Sequence, residues 1–161
     1  LSLGESISIN GACCTVEKLN TSSFSVYMMP ETLRKTTFSN ILRTHIFNLE
    51  KCLTMQNLIG GHLVSGHIDT TAKVTKIVKE QESKTLTFEI SSEFTKYIIH
   101  KGSIAVNGVS LTVVTVDKKS FSVSLIPYTL EHTNLGNLEF GSLANIEVDL
   151  VAKYLEKLSQ R

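Results

Sequence analysis

Two pairs of side chains in this sequence could do nucleophilic or hydrogen-bonding chemistry from one face of a strand. Cys13 and Thr15 lie two residues apart, and so do Ser110 and Thr112. Because side chains alternate across a strand, residues two apart project from the same face. Each pair therefore presents a thiol or hydroxyl beside a threonine, which is typical either of a solvent-facing strand or of a small-molecule pocket.

Further candidates for chemistry are His62 and His67, which belong to the stretch GGHLVSGHID. They make a poor metal pair, because the spacing of five is unfavourable and no third and fourth ligand accompanies them. A structural histidine and a general acid or base both fit, since imidazole titrates near neutrality. Lys101 could be a solvated charge or reach a ligand oxygen, and Asp149 is predicted to cap a helix.

The two polar pairs occupy equivalent positions of an internal duplication. A shift of 97 residues places SISINGACCTV on SIAVNGVSLTV, and 15 of the 36 residues in 6–41 are identical to those in 103–138 without a gap. Chance would give about two or three matches at ordinary residue frequencies. The duplication predicts two units with equal backbones, each presenting its polar pair on the same face.

Local patterns predict mostly short strands. The Asn-Gly steps at 10–11 and 107–108 predict tight hairpin turns, because such turns need positive φ at both positions. Strands are predicted at 62–79, 84–91, 121–126 and 142–148, helices at 48–58 and 91–102, and a turn or short helix at Pro30 and at Pro127. A final helix after Asp149 has an apolar stripe formed by Leu150, Val151, Tyr154, Leu155 and Leu158.

Many short strands in two equal units predict an all-β fold in which each unit is a sandwich or a small barrel. A barrel of about six strands with Greek-key connections fits the length, so we expect a tandem repeat of two six-stranded Greek-key β-barrels with a C-terminal α-helix. We expect an N-terminal barrel at 1–62, a C-terminal barrel at 63–148, and a helix for oligomerisation at 149–161. The second copy has residues 67–97 ahead of its repeat, and the first has no equivalent. We therefore expect a fragment that lacks about thirty residues of its first unit.

Composition excludes several classes of protein. A net charge of +1 marks neither nucleic acid nor a membrane as a partner, and no apolar run reaches the ~18 residues of a membrane span. The cysteines are Cys13, Cys14 and Cys52, an odd number without a CxxC motif. This pattern favours a reducing compartment, so we expect a cytoplasmic protein or one whose organelle transit peptide has been removed.

Taken together, the motifs resemble riboflavin synthase over nearly the whole chain. They are SISINGACCTV and SIAVNGVSLTV, PETLRKT and IPYTLEHTNLG, GGHLVSGHIDTTA, and NIEVDLVAKYLEK. The resemblance implies two similar Greek-key barrels and a C-terminal helix, assembled as a homotrimer, with lumazine synthase as a candidate partner. The chain departs from the family at Cys14, where leucine is usual, and at its start, where the family's opening strand is missing.

The implied reaction is a dismutation that needs no metal or cofactor. Two molecules of 6,7-dimethyl-8-ribityllumazine exchange a four-carbon unit, which gives riboflavin and 5-amino-6-ribitylamino-uracil in the last step of riboflavin biosynthesis. Two copies of one substrate need two similar pockets, and the duplication supplies them.

The resemblance also implies site residues. The first pocket maps to Cys13, Cys14, Thr15, Tyr27, Met28, Met29, Pro30, Glu31 and Thr32. The second maps to Gly66, His67, Ile68, Lys101, Ser110, Leu111, Thr112, Ile126, Pro127, Tyr128, Thr129, Leu130 and Glu131. Catalytic positions map to Ser6, Cys13, His67, Ser110, Thr112 and Asp149. The implied roles are proton transfer at the substrate's acidic methyl group by His67 and the hydroxyls, and help for nucleophilic addition by Cys13 or a held water.

Two other functions remain open at this point. A lumazine protein shares the fold and binds a lumazine or flavin without turnover. A pure binder, however, has no need of a second pocket that keeps Ser110, Thr112 and His67. An oligonucleotide-binding barrel would need a basic face and exposed aromatic platforms, which the sequence lacks.

Overall fold

The chain forms two related β units followed by a helix. The computed structural model describes residues 1–160. The strands are β1 (Ser6–Ile9), β2 (Ala12–Leu19), β3 (Phe24–Val26), β4 (Leu49–Lys51), β5 (Thr70–Glu80), β6 (Ser83–Glu89), β7 (Ser103–Val106), β8 (Val109–Asp117), β9 (Ser120–Leu125) and β10 (Leu143–Val148). The helices are α1 (Pro30–Lys35), α2 (Ser92–Thr95), α3 (Pro127–His132) and α4 (Leu150–Ser159), with 3-10 turns at Thr37–Asn40 and Asn134–Asn137. No helix within 1–160 is long and apolar enough to cross a membrane.

The second unit is a closed antiparallel barrel with the strand order β10-β5-β6-β9-β8-β7. Strand alternation fills its interior, as in β8, where Val113 is buried and its neighbours Thr112 and Val114 are exposed. Phe88 and Phe121 stack at the centre with ring centroids 5.3 Å apart, and both are fully buried. The prediction of a six-stranded barrel is confirmed for this unit.

The first unit is an open four-stranded sheet with the order β3-β2-β1-β4. These strands are the counterparts of β9, β8, β7 and β10, so the counterparts of β5 and β6 are missing among the described residues. Without that hairpin, β3 and β4 stay as edges and the sheet cannot close. The two-barrel prediction therefore holds for the strand pattern of the first unit but not for its closure.

The repeat extends to fine detail. At the 97-residue offset, β1 matches β7, α1 matches α3, and the two 3-10 turns match each other, all with equal lengths. The Asn-Gly turns have φ of 43° and 83° in the first unit and of 47° and 82° in the second, as predicted. Each unit also has a bulge at the same place, between Val16 and Lys18 and between Val113 and Thr115. Residues 6–41 and 103–138 thus form the same elements in the same order, as predicted, although β3 has three residues and β9 has six.

The two hairpin turns pack directly against each other. A Cβ atom on Gly11 would lie 2.6 Å from the backbone nitrogen of Gly108, and one on Gly108 would lie 2.8 Å from that of Gly11. The glycines are thus required by their positive φ and also by this close approach.

A cluster of five asparagines surrounds the crossing of the two turns. Its members, called the asparagine cluster below, are Asn10, Asn48, Asn107, Asn134 and Asn145. Asn48 donates to the carbonyl oxygen of Asn107 over 3.0 Å, and its repeat counterpart Asn145 donates to that of Asn10 over 3.0 Å. Because these bonds cross between the units in equivalent pairs, the units are related by a local two-fold axis.

Two predicted elements are wrong at the junction between the units. The helix expected at 48–58 is absent, because Leu49–Lys51 pairs with β1 and Asn48 is held by the asparagine cluster. The strand expected at 62–79 begins only at Thr70. Tertiary hydrogen bonds outweigh the local pattern in both stretches.

The helices follow the predictions at their starts. Pro30 and Pro127 each begin a helix, and Asp149 caps α4 by accepting a hydrogen bond from the Val151 N–H over 2.9 Å. The helix expected at 91–102 is shorter and ends at Thr95. Lys153 binds Asp69 over 2.6 Å, so α4 is attached to the second unit.

Candidate functional site

The polar face of a unit is the strand face that carries Cys13 and Thr15 in the first unit and Ser110 and Thr112 in the second. The two polar faces open into one cavity. This cavity has a volume of about 920 Å³ and lies between the units, with Cys13 on one wall and Ser110 on the other. Both side chains are exposed, as expected for positions that alternate with core residues. The sequence predicts two separate pockets, whereas the structure brings these two residues of the predicted set to one space within a chain.

A short irregular segment, Gly61–Gly66, crosses this space and is called the strap below. At one end of the strap, the Gly66 carbonyl oxygen accepts a hydrogen bond from the Cys13 N–H over 2.9 Å. Gly66 has a φ of 79°, and a Cβ there would lie 2.6 Å from the Cys13 Cβ. Only glycine fits this position, because both the backbone conformation and the contact exclude a side chain.

At its other end the strap rests on Ser110. The Nδ1 atom of His62 lies 2.7 Å from the Ser110 Oγ, and a Cβ on Gly61 would lie 2.4 Å from the same oxygen. The Nε2 atom of His62 is buried and has no hydrogen-bond partner among the described residues. A buried polar atom without a partner costs about 1–3 kcal/mol, so this end of the strap is poorly satisfied.

The strap is fixed at its Gly66 end by Glu147, a buried residue of β10. One carboxylate oxygen accepts from the Ser65 N–H over 2.7 Å and from the Ser65 hydroxyl over 2.6 Å. The other oxygen accepts from the Gly66 N–H over 3.0 Å. The sequence prediction missed Glu147, although the 97-residue offset aligns it with Glu50 and could have drawn attention to it.

Thr15 in β2 and Thr112 in β8 each lie beside a serine of the neighbouring strand. Ser6 pairs with Thr15, and Ser103 pairs with Thr112, so each threonine lies two residues from the cavity wall on the same face. Cys14 lies on the opposite face, buried in the core of the first unit. Burial raises the pKa of the Cys14 thiol, and its side chain cannot reach a ligand on the polar face.

The predicted contacts at 27–32 and 126–131 lie around the starts of the counterpart helices α1 and α3. Tyr27 and Tyr128 are exposed, and Tyr128 stacks on His132 with ring centroids 4.0 Å apart. The hydroxyl groups of Thr36 and Thr133 bind the carbonyl oxygens of Thr32 and Thr129 over 2.6 and 2.7 Å. Of the predicted contacts at 27–32 and 126–131, Glu131 lines the shared cavity, and its neighbours His132 and Thr133 line it as well.

The other predicted residues lie on the second barrel and at its junction with the first unit. Lys101 has a φ of 63°, and its N–H donates to the Val113 carbonyl oxygen over 3.0 Å. His67 is exposed, Ile68 packs on the core of the first unit, and Asp149 serves as a helix cap. No group of residues suited to hold a metal ion is found within 1–160.

Solved structures with this fold include complexes of LumP. The crystal structure of LumP complexed with riboflavin has a TM-score of 0.83 and 26% identity, over 92% of this chain and 80% of that one. The structure of LumP complexed with 6,7-dimethyl-8-(1'-D-ribityl) lumazine has a TM-score of 0.81 at 24% identity, over 92% and 79% of the two chains, and shows likeness of fold alone.

Sequence comparisons identify the family. The Lumazine binding domain matches residues 1–52 and 65–149. The chain is 41% identical to riboflavin synthase of Actinobacillus pleuropneumoniae, over 96% of this chain and 72% of that protein. It is 42% identical to riboflavin synthase of Escherichia coli strain K12, over 92% and 70% of the two chains. The chain belongs to the riboflavin synthase family.

Proposed function

We propose that this chain is a riboflavin synthase, a transferase that acts on two molecules of 6,7-dimethyl-8-ribityllumazine. One molecule gives up a four-carbon unit and leaves as 5-amino-6-ribitylamino-uracil, and the other receives the unit and becomes riboflavin. The observation that carries the proposal is the duplicated polar face, with Cys13 in one copy and Ser110 in the other opening into one space. Two copies of one polar face give two like substrates equivalent places to bind, one on each unit.

The residues of the polar faces supply the chemistry in this proposal. His67 and the hydroxyls of Ser110 and Thr112 move a proton to or from the acidic methyl group. Cys13, or a water held there, assists nucleophilic addition to the other substrate. Ser6 and Asp149 take supporting roles, since Ser6 pairs with Thr15 between β1 and β2 and Asp149 accepts from the Val151 N–H at the start of α4.

Substrate contacts follow the two units. In the first unit they are Cys13, Thr15 and the segment 27–32, with Cys14 limited to its backbone. In the second unit they are 66–68, Lys101, 110–112 and 126–131. The first unit is the open counterpart of the second barrel, and the boundaries at 62/63 and 148/149 separate the two domains and the helix.

We also propose a homotrimer in which the first unit of one chain faces the second unit of its neighbour. The apolar stripe of α4 supports this, since Val151, Tyr154, Leu155 and Leu158 are all more than half exposed. Refolding a mixture of two inactive variants, Cys13→Ala and His67→Ala, tests it. Sites between chains would regain activity in part, whereas sites within one chain would stay inactive.

A binding protein without turnover is the second candidate, favoured by the structural likeness to LumP complexed with riboflavin. Incubation of the chain with 6,7-dimethyl-8-ribityllumazine separates the two functions. A synthase produces riboflavin, seen as yellow-green fluorescence that grows with time and as a new chromatographic peak. A binder changes the fluorescence of the lumazine at once and yields no riboflavin, an outcome that would reject the proposed reaction for this chain.

A further inference from the structure

Glu147 is a buried carboxylate without a cationic partner among the described residues. Its exposed fraction is only 1%, and the ion pairs of residues 1–160 do not include it. A carboxylate removed from water is costly unless hydrogen bonds replace its hydration. All three hydrogen bonds of its carboxylate among the described residues go to the strap, at Ser65 and Gly66.

The geometry demands a carboxylate rather than an amide. Three donors converge on two oxygens, and a carboxylate accepts on both sides. A glutamine in the same place would keep one accepting oxygen and turn its NH₂ group toward an N–H donor, so at least one bond would be lost. Charge-assisted bonds of this kind are also about twice as strong as neutral ones.

The strap that Glu147 holds is in contact with both polar faces. Gly66 receives the hydrogen bond of the Cys13 N–H, and four residues earlier His62 meets the Ser110 hydroxyl. Glu147 therefore fixes the Gly66 end of the strap directly, beside the contact with Cys13, and the His62 end only through the chain between them. The His62 end of the strap carries a ring nitrogen without a hydrogen-bond partner among the described residues. Without Glu147, that end would be held only by the contact of His62 with Ser110.

We propose that Glu147 is a positioning residue, which holds the strap so that Gly66 lies on Cys13 and His62 lies on Ser110. It acts through the strap and touches no substrate itself. Its repeat counterpart Glu50 is exposed and holds no such segment among the described residues, so the role belongs to one copy only. The part of this inference that concerns ligands rests on the proposed function.

The test replaces the carboxylate by its isostere, Glu147→Gln, with the exposed Glu82→Gln as the matched control. Deuterium labelling of the Cys13 amide, read by mass spectrometry well below the unfolding midpoint, measures how firmly the strap lies on β2, because the Cys13 N–H donates to the Gly66 carbonyl oxygen. We expect deuterium labelling of Cys13 to be about threefold faster or more in Glu147→Gln, because local opening of the strap breaks the bond of the Cys13 N–H, and unchanged in Glu82→Gln. Titration with riboflavin should show affinity weakened about tenfold, because the segment at 66–68 is misplaced.

A purely structural role gives a different result. It lowers the unfolding midpoint of Glu147→Gln while Cys13 labelling and riboflavin affinity stay as in the wild type, and that result would overturn the proposal. If Glu147→Gln does not fold, Ser65→Ala removes one of the three bonds and should move labelling in the same direction by less. If the wild type binds no riboflavin, the proposed function fails, and the labelling arm still decides the role of Glu147.

Discussion

The first and second units are built from the same repeated stretch, yet their cores differ greatly. The second unit has 17 buried apolar residues in one cluster, and the first has six, namely Ile7, Ile9, Ala12, Cys14, Val16 and Phe38. The difference comes from the hairpin of β5 and β6, which closes the second sheet and supplies its own core residues. The repeat thus specifies four strands and a polar face, while closure decides how much apolar surface is buried.

Counterpart positions can therefore contribute differently to the stability of the two units. Ile7 and Ile104 are repeat counterparts with exposed fractions of 3% and 0%. Glu50 and Glu147 are another such pair, one exposed and the other buried and fully hydrogen-bonded. Matched substitutions at counterpart positions measure what closure adds to stability, because the side chain and the local strand are the same.

The largest effect is expected from Ile104→Ala compared with Ile7→Ala. Removing a buried isoleucine from a closed barrel leaves a cavity and should cost about 3–5 kcal/mol of the free energy of unfolding. The open sheet around Ile7 can collapse or admit water, so the same change there should cost about 2 kcal/mol. Urea unfolding of both variants measures the two costs, and equal costs would show that closure does not govern the core energetics.

The second effect tests the contact between the units. Asn134→Ala removes a side chain that donates to Asn10 over 2.8 Å and accepts from Asn48 and Asn107 over 3.0 and 3.1 Å. Buried groups are left without partners, and we expect a loss of about 2–3 kcal/mol. Thermal unfolding measures the loss, with Asn137→Ala, at an exposed position, as the control.

A loss in Asn134→Ala that is no larger than in Asn137→Ala would mean that the asparagine cluster is not a stabilising link. Two separate unfolding transitions in Asn134→Ala would instead show that the cluster couples the units into one cooperative system.

Local sequence patterns predicted the repeated core of the fold because turn chemistry and strand alternation are local. The Asn-Gly turns, the helix starts at Pro30 and Pro127, and the cap at Asp149 all depend on neighbours in sequence. The stretch 48–66 was predicted wrongly, since its conformation is fixed by residues far away in sequence. Asn48 is held by Asn134 and Asn107, and the strap is held by Glu147.

In the candidate site, too, the features set by local sequence could be predicted and those set by distant residues could not. The pairing of Cys13 with Thr15 and of Ser110 with Thr112 follows from alternation and could be predicted. That Cys13 and Ser110 share one space, and that a strap lies between them, depends on the local two-fold axis at the hairpin turns. No local pattern reports that axis, although the alignment of Asn48 with Asn145 at the 97-residue offset is consistent with it.

The third effect compares the two faces of one strand. Cys13 is exposed, whereas Cys14 is 5% exposed and burial raises its pKa above the ordinary value of 9.0. The thiolate is the reactive form, so at pH 8 Cys14 should be alkylated at least about tenfold more slowly than Cys13. Peptide mass spectrometry after timed labelling measures both rates.

The direction of the pH effect on stability follows from the same pKa. Because burial raises the pKa of the Cys14 thiol in the folded chain, the protonated thiol favours the folded state. Its contribution to stability is complete below the unfolded pKa and is lost as the pH rises through the folded pKa. In Cys14→Ala this loss of folding stability at alkaline pH should be absent. Equal labelling of Cys13 and Cys14 in the folded chain would place both on solvent-accessible surface and contradict the strand assignment.

The smallest effect compares ligand binding by the two polar faces, through Thr112→Val and its counterpart Thr15→Val. Each change removes one hydroxyl at nearly constant shape from an exposed strand position, so the fold is little affected. The second unit is a closed barrel, and we expect it to bind riboflavin more tightly than the open first unit. Thr112→Val should then weaken the riboflavin affinity by about 0.5–1.5 kcal/mol, roughly two- to twelvefold, if its hydroxyl bonds the ring. Thr15→Val should leave that tighter site unchanged, as measured by fluorescence titration. Equal losses in both variants would mean that the open sheet binds as well as the closed barrel, and no loss in either would reject both threonines as ring contacts.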